Sequence, residues 1–148
     1  MMQSLSARTR LLVVAPHPDD ETIATGLLIQ HVLAAGGTVH VLLLSDGDNN
    51  PWPQRWLEHR LHVGAGDRAR WAARRRHELE SALRVFGLPL HALTALGWPD
   101  QGLTRRVQRE LPASLDALHA VLDAFAPNVV VMPALEDRHP DHAAAHVL

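Results

Sequence analysis

His17, Asp19 and Asp20 crowd together just after one apolar run, and His139, Asp141 and His142 just after another, about 120 residues later. These side chains ligate metals through nitrogen and oxygen. If both runs are neighbouring strands, His17 and Asp20 leave one strand end three residues apart and His142 arrives from the next. Two imidazoles and one carboxylate leave coordination positions open, as a catalytic zinc site needs. The same set is the facial triad of non-haem iron, so residue types alone admit Zn2+ or Fe2+. Bound zinc brings the pKa of water down to roughly 7 and polarises a carbonyl. Asp19 cannot easily point the same way as Asp20 and is free to act as general base. His139 is a candidate for stabilising an oxyanion or protonating a leaving amine. Asp141 can hydrogen-bond a histidine ring and fix its tautomer. Taken alone, Asp20 or Asp141 reads better as a helix cap; the pairing of the clusters carries the argument.

The elements that must position these residues alternate. Residues 11–15 and 38–45 read as buried strands, 91–96 as a weaker third strand and 128–132 as a fourth. A helix capped by Asp20 or Thr22 should run to about residue 35, with Ile23, Leu27 and His31 along one side. Residues 67–86 form the next, on the spacing of Leu79, Ala82, Leu83 and Phe86. Pro112 starts another, with Leu115, Leu118, Leu122 and Phe125 as its buried stripe. A last helix starts near Asp141. Residues 46–66 and 97–103 read as loops, the first long enough to suggest a functional role. This order predicts an α/β, Rossmann-like three-layer sandwich with a mostly parallel sheet, strand order 3-2-1-4. The first and fourth strands are then neighbours, and both clusters meet at the switch point where such sheets bind ligands.

Composition narrows the classes. A chain of 148 residues supports one domain with a real core. The formal charge of −2 gives no field to recruit nucleic acid. All 14 basic residues are arginine, which codon bias explains. Cysteine is absent, so thiolate zinc sites and cysteine nucleophiles are excluded, and the composition fits a reducing compartment such as the cytoplasm. No stretch approaches the roughly 20 apolar residues of a membrane span.

Pro16-His17-Pro18-Asp19-Asp20-Glu21 after a strand, with His139-Pro140-Asp141-His142 after a later one, resembles the zinc-dependent N-acetylglucosaminyl deacetylases, the LmbE-like group that includes the phosphatidylinositol-glycan deacetylases. Ser45-Asp46-Gly47-Asp48, Arg75-Arg76-His77-Glu78-Leu79 and Gly97-Trp98-Pro99-Asp100 extend the similarity. The resemblance implies zinc on His17, Asp20 and His142, Asp19 as base, and His139 as electrostatic or acid partner. It implies Arg75 and Asp100 on sugar hydroxyls, and a small N-acetylated sugar conjugate as substrate. Family members usually continue well beyond the second motif, whereas this sequence stops six residues past His142. The expectation is therefore a single deacetylase-like domain over residues 1–148 without the usual C-terminal part. Its sheet edge would be sticky, and a homo-oligomer could cover it.

Trp52 and Trp56 lie in the long loop, where they either stack on a sugar or acyl group or anchor the loop. Trp71 and Trp98 read as packing residues. A metal-dependent phosphoesterase is a second reading, drawn from the acids and amides of residues 45–50. A non-catalytic sugar binder, inactivated by the short C-terminus, is a third; the missing Gly-x-Gly-x-x-Gly counts against a dinucleotide.

Overall fold

The computed structural model describes residues 5–148. Four strands, β1 (Arg10–Ala15), β2 (Thr38–Ser45), β3 (Leu93–Trp98) and β4 (Val129–Val131), form one sheet in the order β3-β2-β1-β4, and every pairing is parallel. The predicted strand order is the observed one.

Successive strand side chains point to opposite faces, and each face meets its own helical layer. Leu11, Val13, Val41 and Leu43 pack with Ile29 and Val32 of α1 (Asp20–Ala34) and with Leu79 and Leu83 of α3 (Ala65–Val85). The alternate residues Leu12, Leu42 and Leu44 pack against α4 (Leu103–Arg109), α5 (Leu111–Phe125) and α6 (Pro140–Val147) through Leu103, Val121, Ala144 and Ala145. Leu83 is fully buried in the first layer, so its loss to alanine should cost about 2–5 kcal/mol. Among the described residues no helix is long and apolar enough to cross a membrane.

Three local expectations need correction. The span 46–66 is not all loop: Asn50 accepts the Trp52 N–H and starts a helix, α2 (Pro51–Glu58), with proline in its first turn. The loop expected at 97–103 begins later, because β3 runs through Gly97 to Trp98, and α4 follows it. Finally, Ile23 and Leu27 share a side of α1, but that side faces outward, at 80% and 69% exposure. The helix buries Glu21, Thr25, Gly26, Ile29 and Val32 instead.

α2 is inverted relative to simple hydrophobic patterning. Its one buried residue is Gln54, whose amide donates to the Asp67 carbonyl (2.7 Å) at the start of α3. Trp52 and Trp56 remain 72% and 78% exposed, so neither anchors the segment. Trp71 and Trp98 are buried, as packing residues should be.

Candidate metal centre and active site

The carboxyl ends of β1 and β4 are adjacent, and both clusters emerge there. His17 and Asp20 leave β1; His139 and His142 stand at the start of α6, with His139 as its N-cap. His17 Nδ1, Asp20 Oδ2 and His142 Nε2 form a triangle. Its edges are 3.4 Å from His17 to Asp20, 3.3 Å from Asp20 to His142 and 3.4 Å from His142 to His17. Donors on a tetrahedral ion with bonds of about 2.0–2.1 Å stand roughly 3.3–3.4 Å apart. The donor set and its spacing therefore suit a metal ion.

His17 belongs to two further close sets, one with His139 and His142 and one with Asp100 and Asp141. The second is better read as support for His17. Asp141 is fully buried and already accepts N–H bonds from Gln101 (2.7 Å) and Leu103 (3.1 Å). Asp100 accepts the Asn49 N–H (2.6 Å). Their remaining contacts, at 3.1 Å from Asp100 and 3.3 Å from Asp141, converge on His17 Nε2. A proton on Nε2 leaves the Nδ1 lone pair facing Asp20 and His142, the usual role of a carboxylate behind a ligating histidine. Asp137 does the same for the other ring, 2.9 Å from His142 Nδ1.

The acids dominate the electrostatics. Burial disfavours a charged His17, but bonds to Asp100, Asp141 and Asp20 outweigh it and raise the pKa to about 11. Burial pushes Asp20 up, yet the His17 ring, its backbone N–H and the nearby His142 hold its carboxyl below the usual range. The surroundings favour positive charge at this point, as a cation site requires. His139 is shifted down by burial and by the two neighbouring imidazoles. Its Nδ1 accepts the Asp141 N–H (3.3 Å), so the neutral ring carries its proton on Nε2 and is a donor there.

Asp19 occupies a strained backbone position, with φ of 123°, at the N-cap of α1. The helix cap expected at Asp20 or Thr22 thus falls one residue earlier, and through the Asp19 carbonyl rather than its side chain. Buried Glu21 holds the turn: it accepts the Asp19 N–H (3.1 Å) and the Thr22 hydroxyl (2.6 Å). The turn swings the Asp19 carboxylate to Arg75, 3.0 Å away. Burial raises the Asp19 pKa and neighbouring Asp20 adds to this, while Arg75 opposes both.

Arg75 and Asp100, the residues expected on sugar hydroxyls, both have protein partners at the site. The Arg75 guanidinium is taken up by Asp19 and by the Gly47 and Pro18 carbonyls, and both Asp100 oxygens face protein donors. Asp137 was not singled out in the sequence. Its spacing, five residues before a candidate ligand, was the only available signal. A cavity of about 220 Å³ opens beside Asp19 and Arg75. A larger one, about 640 Å³, lies at the amino ends of the strands, lined by Arg10, Thr38 and Thr94 and away from this chemistry.

Residues 12–148 match the PIG-L family, GlcNAc-PI de-N-acetylase. The chain belongs to this family. A 1D-myo-inositol 2-acetamido-2-deoxy-alpha-D-glucopyranoside deacetylase of Mycolicibacterium smegmatis is 35% identical over 94% of this chain and 51% of its own length. A conserved protein of Thermus thermophilus superposes with a TM-score of 0.67 at 32% identity, covering 94% of this chain and 52% of that one. N,N'-diacetylchitobiose deacetylase of Pyrococcus horikoshii gives a TM-score of 0.69 at 24% identity, over 93% and 46%, a likeness of fold. The chain thus spans about half the length of the relatives it matches. Within this GlcNAc-PI de-N-acetylase domain, every site residue named above lies inside the matched stretch.

Proposed function

We propose that the chain carries the catalytic centre of a zinc-dependent N-deacetylase that releases acetate from an N-acetylglucosamine-type sugar conjugate. The donor triangle of His17, Asp20 and His142, with its edges of 3.3–3.4 Å, carries the reading. Family membership and the named activity of the mycobacterial relative support the reaction class.

His17, Asp20 and His142 would hold the ion, and the all-nitrogen and oxygen donor set suits Zn2+ while also accommodating Fe2+. When bound, the metal would supply a Lewis acid that polarises the amide carbonyl and acidifies water. Asp19 takes a proton from the attacking water, and its raised pKa makes it a stronger base than an ordinary aspartate. Arg75 fixes that carboxylate's direction. His139, neutral and protonated on Nε2, donates to the developing oxyanion. Cleavage of the C–N bond passes the proton held by Asp19 to the departing amine, giving acetate and the free amino sugar. Asp141 and Asp100 keep His17 oriented.

The test is Asp19→Ala. It should keep its metal, by elemental analysis, while acetate release falls by roughly 10²–10⁴-fold, the usual contribution of a general base. Undiminished hydrolysis by that variant would end the mechanism. Metal-loaded wild-type protein that binds N-acetylglucosamine conjugates yet releases no acetate would favour the non-catalytic binder.

A further inference from the structure

Among the described residues, four other than glycine have positive φ: Asp19, His59, Gln101 and Ala126. His59 and Ala126 cap the ends of α2 and α5, where left-handed backbone is ordinary. Asp19 is the proposed base. Gln101, at φ 60°, ends no helix. It is the third residue of the turn Pro99-Asp100-Gln101-Gly102, which closes through the Gly102 N–H to the Pro99 carbonyl (3.0 Å). Glycine or asparagine is the usual occupant of a left-handed third position. A larger residue persists there only where its surroundings hold it, and strain of this kind collects at functional sites.

The surroundings of Gln101 converge on one ring. Its side-chain amide donates to the Asn49 carbonyl (2.9 Å), and the Asn49 N–H in return donates to Asp100 Oδ2 (2.6 Å). The segments that follow β2 and β3 are thereby clasped together. The Gln101 backbone N–H donates to Asp141 Oδ2 (2.7 Å), which carries the tie to the start of α6, after β4. β3 and β4 are the two outer strands, so this tie crosses the carboxyl edge of the whole sheet. Asp100 Oδ1 and Asp141 Oδ2 both meet His17 Nε2, at 3.1 and 3.3 Å. One turn, fixed at one residue, therefore aims carboxylates from opposite sides of the sheet at the same imidazole nitrogen.

We propose that Gln101 is a positioning residue for the metal centre: its side chain, by holding Asn49, locks the strained turn that sets Asp100 and Asp141 against His17. The inference rests on His17 as a metal ligand and adds the residue that fixes the ring's orientation from outside. Glycine at 101 relieves the backbone and removes only the side-chain tie, so its effect on the metal separates from its effect on the fold.

The experiment measures Zn2+ affinity by competition with a chelator, stability by denaturant unfolding, and acetate release from methyl N-acetylglucosaminide as kcat/KM. Gln101→Gly should unfold at the wild-type midpoint or above it, because glycine adopts the left-handed backbone freely. It should nonetheless bind Zn2+ about tenfold more weakly, the lower end of what partners of ligating histidines contribute. Gln101→Met, which keeps the size but not the donor, should lose as much Zn2+ affinity. Gln101→Lys, whose donor is long enough to reach the Asn49 carbonyl, should recover most of it. Wild-type Zn2+ affinity in both Gln101→Gly and Gln101→Met overturns the positioning role. Loss of midpoint and affinity together in Gln101→Gly overturns it too, by marking a part in the fold alone. Wild-type protein that binds Zn2+ and shows the expected variant series, yet releases no acetate, would overturn the deacetylase reading and leave the positioning role standing.

Discussion

Arg75 Nη2 stands 3.0 Å from Asp19 Oδ2, joining the long helix α3 to the strained turn that follows β1. The pair ties the proposed base to a residue 56 positions away in sequence. It makes the ionisation of Asp19 depend on α3.

The pH profile should reveal that coupling. A general base must be ionised, so activity falls as pH drops through the Asp19 pKa. The Arg75 charge lowers that pKa against burial and Asp20, which raise it. Arg75→Met should therefore move the acidic limb of kcat/KM to higher pH and reduce the plateau by roughly 10–100-fold through lost orientation. An unmoved limb would detach Arg75 from the base.

Gly47 guards the same pair. It sits at φ +62°, and a Cβ there would collide with the Arg75 guanidinium. Gly47→Ala should cost about 1–3 kcal/mol in denaturant unfolding from the backbone position. It should also lower kcat more than it changes metal content. Wild-type stability and activity would remove the need for a bare backbone here.

Asp137 should matter through His142. Asp137→Ala leaves the donor triangle in place but frees the ring 2.9 Å away to rotate or change tautomer. Metal affinity, read by competition with a chelator, should weaken about 10–100-fold, as for other partners of ligating histidines. His142→Ala should be more severe. Equal metal affinity in Asp137→Ala and wild type would show that the contact does not orient the ligand.

Metal-free protein should respond to pH through His17. Its folded pKa, about 11, lies above the ordinary 6.5. Its contribution to stability is full below about 6.5 and disappears as pH rises through about 11. Asp20 and Asp100 work in the opposite sense: both are lowered, so their contribution is present above the usual carboxylate range and lost on acidification. Loading metal near pH 7 should release about one proton from His17, measurable by calorimetry in buffers of different ionisation heat. Proton-neutral binding would contradict the protonated, acid-surrounded imidazole.

Apolar patterning and ligand-type residues carried much of the information locally. The runs around Val13, Val41 and Val130 stood out because buried parallel strands are continuously apolar, and alternation with helices implied the order that brings His17 to His142. α2 was invisible because Trp52 and Trp56 face outward while Gln54 is buried, the reverse of the usual pattern. The outward Ile23 and Leu27 mislead for the same reason: periodicity finds a side of a helix but not which side meets the core. Only the tertiary structure decided what each charged group does. Asp100 and Asp137 back imidazoles and Arg75 holds Asp19 because of distances across chain segments 5 to 83 residues apart. A side chain's partner is set by where the folded backbone delivers both groups, and residue type and local spacing do not contain that.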